Sequence, residues 1–193
     1  MLSDGKAKSF LQDWMIYDYW QRADDPAIRV DAKYNHQNVR VQDGSLLLLQ
    51  KGFTDGTHVS MAGIQSKRID ILHGTFRAIF KVTGDSGGSC AGFFWYRDDR
   101  SELDIEVVTE GDSLVNGTIN YTTHPSTDEN GLPVPGATFR EPTLAEDGTN
   151  ADVCREHRFD SDDTGVRYYL DGELRHKDVR APMLGGNLQV SLE

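Results

Sequence analysis

Basic residues are scarce: 20 Lys and Arg stand against 31 Asp and Glu, a formal charge of −11. A chain this acidic has no global attraction for phosphate backbones or anionic lipid surfaces, so neither nucleic acid nor membrane is an expected partner. No apolar run approaches the roughly 20 residues that a membrane-spanning helix needs. Cysteine occurs only at positions 90 and 154, a spacing far from any zinc pattern, and no metal cluster or cofactor motif stands out. Helical periodicity is almost missing, and the first 20 residues are the best helix candidate. Internal repeats and low-complexity tracts are absent. The opening MLSDGKAKSFLQDW has no apolar centre of the kind a signal peptide carries.

Short strand-like segments fill the chain instead. At 193 residues it has the length for one domain, 1–193, with a sizeable core. NVRVQDGSLLLLQK reads as two short strands around Asp43-Gly44, a strong two-residue hairpin signal. GTFRAIFKVT alternates and puts Phe76, Ala78, Phe80 and Val82 on one face. CAGFFWY is a dense aromatic run, followed by LDIEVVTE and LVNGTINYTT. VRYYLDGELRHKD reads as a hairpin turning at Asp171-Gly172, and GNLQVSLE closes the sequence. Residues 125–152, rich in Pro, Gly, Thr, Asp and Glu, read as a long surface loop. Many short antiparallel strands at regular spacing predict an all-β sandwich or jelly roll.

Within SELDIEVVTE, Glu102, Asp104 and Glu106 fall at every second position with Leu103, Ile105 and Val107 between them. As a strand, the segment crowds three acids onto one face and buries aliphatics on the other. Any half-exposed strand alternates in this way, so the pattern alone does not make an active site. Its chemistry adds weight. Glycoside hydrolysis needs two carboxyl groups flanking the scissile bond, one ionised and one holding a proton. A third acid between them helps separate the two proton affinities, because neighbouring like charges resist ionising together. Cα atoms four residues apart on a flat strand are about 13 Å apart. Retaining glycosidases hold their carboxyls about 5–5.5 Å apart. Two long Glu side chains leaning inward on a curved strand close most of that gap, and two Asp would not.

Glu-Leu-Asp-Ile-Glu, residues 102–106, resembles the signature of glycoside hydrolase family 16, the laminarinases, lichenases and relatives on a concanavalin A-like jelly roll. NVRVQDGSLLLL, GIQSKRIDILHGTFRAIFKV, SCAGFFWYRDDRSELDIEV and HRFDSDDTGVRYYLDGEL resemble successive segments of that family, from about Asn38 onward, and Cys-Ala-Gly with its aromatics is similar to fungal members. The resemblance implies a retaining endo-β-glucanase with a concave carbohydrate-binding face. Glu102 would be the nucleophile, Glu106 the general acid and then base, and Asp104 the residue between them that keeps their protonation states apart. The motif is the unbulged, lichenase-like form. Phe94 and Tyr96 would face the cleft and Asn120 would bind the sugar nearest the cut, with Thr122 on its face and His124 one step further. A structural calcium on the convex face is also known in the family, but no ligand set for it is evident here. The substrate expected is a polysaccharide, β-1,3 or mixed β-1,3/1,4-glucan, and the protein is expected to be monomeric.

Other readings stay open. A cell-wall transglycosylase would use the same acids, and a lectin-like domain would use the fold without them. Lys67 and Arg68 precede a strand that ends near the cleft and could meet a sugar hydroxyl. Glu110 shares the acids' parity but lies one step beyond them and reads as surface or cleft rim. Cys90 and Cys154 could close one disulfide or remain buried thiols. Sequons begin at Asn116 and Asn120. A glycan on Asn120 would block the cleft, so Asn116 is the better acceptor. Together these features predict a secreted or cell-wall protein whose signal peptide is not in this sequence. Relatives usually continue past a NLQVSLE-like strand with an aromatic subsite and further strands, so the C-terminal strands of the family are expected to be missing here.

Overall fold

The computed structural model describes residues 5–23, 30–52, 58–84, 87–110, 117–143 and 152–193. Asn116, the glycosylation candidate, lies outside them. The chain opens with α1 (Gly5–Asp13), then β1 (Trp14–Ile16), β2 (Tyr19–Gln21) and β3 (Asp31–Tyr34). A one-turn 3-10 helix, His36–Asn38, leads into the hairpin of β4 (Val39–Gln42) and β5 (Ser45–Leu48). Its turn is Asp43-Gly44, with φ of 51° and 78°, both in the left-handed region that a tight two-residue hairpin requires.

β6 (His58–Ser66), β7 (Gly74–Phe80), β8 (Cys90–Asp98), β9 (Ser101–Thr109) and β10 (Gly117–Thr123) follow. β11 (Thr138–Pro142) falls inside the stretch read from sequence as loop, where it pairs antiparallel with β10. Its residues are mostly exposed, so it lacks the apolar alternation that would have marked it; backbone pairing alone makes it a strand. β12 (Arg155–Asp162), β13 (Gly165–Leu170), β14 (Glu173–Asp178) and β15 (Asn187–Leu192) complete the order. The β13–β14 hairpin turns at Asp171-Gly172, as its sequence predicts.

Among the described residues the strands form a nine-stranded sheet, a four-stranded sheet and the β4–β5 hairpin. The large sheet runs β11-β10-β9-β8-β15-β6-β3-β2, with β1 also on β6; the smaller one runs β14-β13-β12-β7. The architecture is an antiparallel β-sandwich, with β3–β6 a parallel pair. One core lies between the sheets: Phe93, Trp95, Leu103, Ile105, Val107, Ile119 and Tyr121 pack against Phe159, Val166, Tyr168 and Leu170. Each such side chain contributes roughly 1.5–3 kcal/mol by leaving water. Near β6 the inner face is covered differently, with Val39, Ala62 and Ile64 packed by Phe10, Trp14, Ile16, Leu46 and Leu48. β15 sits in the middle of the large sheet, bonded to β8 on one side and β6 on the other.

Candidate active site

β9 has the two-faced character that its alternation predicts. Leu103, Ile105 and Val107 are buried in the core, whereas Glu102, Asp104 and Glu106 point to the outer face of the large sheet. Residues directly opposite on paired strands share a face. On β8, Gly92 lies opposite Glu106, Phe94 opposite Asp104 and Tyr96 opposite Glu102. On β10, Asn120 lies opposite Glu106 and Thr122 opposite Asp104. Phe93 and Trp95, the alternate aromatics, fill the core, and Trp95 donates its indole N–H to the Ile71 carbonyl at 2.7 Å. The register therefore gathers Glu102, Asp104, Glu106, Phe94, Tyr96, Asn120 and Thr122 on one surface.

Burial is the main force on the acids. It pushes Glu102 up to about 8, with the Asp104 charge adding to the effect and His124 opposing it. Asp104, 7% exposed, is held well above the ordinary carboxylate range by burial and then by the Glu106 charge. The two carboxyls are hydrogen-bonded. At neutral pH such a pair holds one proton between them, because two adjacent buried carboxylates repel. His124 completes the group: its Nε2 is 3.1 Å from Asp104 Oδ2 and 3.9 Å from Glu102 Oε2. Its backbone N–H donates to the Glu102 carbonyl at 2.9 Å, and Arg180 donates to the Pro125 carbonyl at 2.8 Å, fixing the segment after β10.

Glu106 has different neighbours. Asn120 Nδ2 donates to its Oε2 at 3.3 Å, and the Cys90 thiol faces its Oε1 at 3.8 Å. Thr118 in turn donates to the Asn120 carbonyl oxygen at 3.2 Å, which orients the amide. Asn120 is only 6% exposed, so the side chain leaves no room for a glycan.

The disulfide anticipated between Cys90 and Cys154 is absent: both are free thiols. Cys90 turns to the outer face of the large sheet, toward Glu106. Cys154 is exposed just ahead of β12, a strand of the other sheet. Burial, followed by the Glu106 charge, raises the Cys90 thiol far above its usual range, keeping it a proton donor.

The remaining sequence candidates divide. Tyr96 donates to Asp99 at 2.9 Å at the edge of the face. Thr122 is buried, with its hydroxyl 3.1 Å from that of Thr138 on β11. Lys67 turns away to the Leu11 carbonyl at 2.6 Å, and Arg68 pairs with Asp70 at 2.9 Å. Glu110 is exposed just past β9.

Several residues on this face escaped the sequence reading. Gln189 on β15 lies opposite Phe94 and Gln65, and it accepts from the Tyr17 hydroxyl. Tyr34 donates to Glu193. The alternation of Gln189, Ser191 and Glu193 with Leu188, Val190 and Leu192 was the available signal for a polar outer face.

Among the described residues, Glu102, Asp104 and His124 form one group that could hold a metal ion, their ligand atoms lying within 4.8 Å of one another. The sequence reading anticipated no such cluster. A hydrogen bond between Glu102 and Asp104 and the close His124–Asp104 contact already bring the three side chains together.

No protein-family model and no curated protein sequence matches the chain. Solved structures do match it. A Bacillus licheniformis β-glucanase has a TM-score of 0.67 at 17% identity, covering 93% of this chain and 78% of its own. An endo-1,3-β-glucanase from Streptomyces sioyaensis gives 0.64 at 14% identity, covering 94% and 78%. A Mycobacterium tuberculosis protein described as an immunostimulatory antigen and pseudo β-1,3-glucanase gives 0.62 at 14% identity, covering 93% and 79%. At these identities the likeness is one of architecture: the chain has the jelly-roll sandwich fold of these proteins.

Proposed function

We propose that the protein is a retaining endo-β-glucanase acting on β-1,3 or mixed β-1,3/1,4-glucan. The observation that carries this reading is the common face of Glu102, Asp104 and Glu106 on β9, with Asn120 bonded to Glu106 from β10. Glu102 and Glu106 are the flanking pair and Asp104 lies between them. In the reactive state the shared proton resides on Asp104, the more buried of the coupled carboxyls, and Glu102 is the carboxylate. A Glu102 oxygen attacks the anomeric carbon. The bond to the leaving oxygen breaks, and that oxygen takes a proton from Glu106, which acts in its acid form in this step. Water then attacks the same carbon, gives a proton to Glu106 and releases Glu102. His124 steadies Asp104, and Phe94 and Tyr96 offer ring surface to the sugar.

Fold alone does not carry activity, and the pseudo β-1,3-glucanase on the same architecture favours a second reading, a non-catalytic glycan-binding protein. Incubation with laminarin and barley β-glucan separates the two. Wild type is expected to release reducing ends, and Glu102→Gln and Glu106→Gln each to lose about 10²-fold or more in kcat. Glycan binding without new reducing ends, or transfer products, would overturn the enzyme reading.

A further inference from the structure

Beside Glu102, at the end of the large sheet marked by the β8–β9 turn, lies a recess of about 420 Å³, within the range typical of small-molecule sites. Three segments distant in sequence wall it: the β8–β9 turn, the residues after β10 and those after β14. Each of the first and third brings arginine. Arg97, Arg100 and Arg180 all line the recess of a protein whose net charge is −11.

The three guanidiniums differ in how far they are committed. Arg97 donates to the Gly185 carbonyl at 2.8 Å and lies 3.6 Å from Asp98. Arg180 grips Asp178 with Nε and Nη2 and donates from Nη1 to the Pro125 carbonyl. A guanidinium has five N–H groups, so two of Arg180 stay open. The Arg100 side chain makes no hydrogen bond or ion pair among the described residues; only its backbone N–H is engaged, to Asp98 at 3.1 Å. The same lining includes apolar surface, with Met183 83% and Leu184 58% exposed, and two carboxylates, Glu102 and Asp98, the latter beside Arg97. A planar donor fork in a recess that also offers apolar surface suits a ring that carries a carboxylate or sulfate at its edge.

We propose that the recess is a subsite for an anionic sugar unit bearing a carboxylate or a sulfate ester. Arg100 is the recognising residue, supported by Arg97 and Arg180. The proposal rests on the glucanase reading to the extent that the recess adjoins Glu102, and it specifies which decorated glycan the chain prefers.

The test compares kcat/KM at low ionic strength for neutral laminarin, laminarin oxidised to carboxylates at C6, and sulfated laminarin. One or both anionic forms are expected to be preferred about tenfold, and the two arms separate carboxylate from sulfate. The preference should shrink with added salt. Arg100→Ala should bring the ratio close to one, with part of it kept by Arg100→Lys. A wild-type ratio of one or less overturns the proposal, as does a ratio unchanged in Arg100→Ala. If no laminarin is cleaved, the glucanase reading fails by itself. The subsite is then read by calorimetric titration of oxidised laminari-oligosaccharides into wild type and Arg100→Ala, where equal affinities overturn it.

Discussion

Nε2 of His124 stands 3.1 Å from Oδ2 of Asp104, and the same ring atom is 3.9 Å from Glu102. The imidazole thus bears on both members of a carboxyl pair that burial forces to share a proton. His124 favours the ionised form of Glu102. Replacing it with Ala should move ionisation of the pair to higher pH. The acidic limb of the kcat/KM profile on laminarin should shift upward, and His124→Gln should restore less than the full shift because it returns a hydrogen bond without a charge. An unmoved limb in His124→Ala would show that the ring is a spectator.

Burial of these acids also fixes a pH dependence of stability. Burial pushes Glu102 up to about 8, so the Glu102–Asp104 pair keeps its shared proton through neutral pH in the folded protein, whereas Glu102 in an unfolded chain would release a proton near 4.5. The folded state therefore binds more protons between those values, so stability falls as pH rises through that window. Melting temperatures from pH 5 to 9 should decline more steeply for wild type than for Glu102→Gln, the gap widening with pH. Parallel curves would contradict the assignment.

Free thiols make a simple count. Cys154 is exposed, and Cys90 is half-buried with its thiol held in the protonated form. A thiolate-selective reagent should find one fast thiol in native protein and two after denaturation without reductant. No thiols in the denatured protein would restore the disulfide.

Gly63 lies under two tyrosine rings. A Cβ there would overlap the Tyr17 ring and lie 3.1 Å from the Tyr34 ring. The Tyr17 hydroxyl is tied to Gln65 and Gln189, so the ring cannot swing away freely. Gly63→Ala should cost about 1–3 kcal/mol in urea unfolding, and an unchanged midpoint would mean that the rings are loosely held.

Much of this architecture could be read in advance where local chemistry decides. The Asp43-Gly44 and Asp171-Gly172 turns were legible because few residues accept their backbone angles, and both dipeptides have positive φ throughout. The parity of residues 102–107 was legible because one face must be apolar. β11 was not, because an exposed edge strand needs only backbone partners. Arg180 reaching Pro125 was hidden for a related reason: 55 residues separate them, and no local pattern encodes that meeting. Cysteine count suggested a bridge, but parity turns Cys90 toward Glu106, and Cys154, exposed just ahead of β12, is a free thiol.

β15 comes later in the sequence than both β6 and β8, yet it is the seam between them. During synthesis β6 and β8 emerge before the strand that joins them. Meanwhile β6 and β8 each present an open edge that another chain could pair with. The large sheet becomes one continuous surface only once β15 has paired with both strands, and until then those two edges are where misassembly can begin.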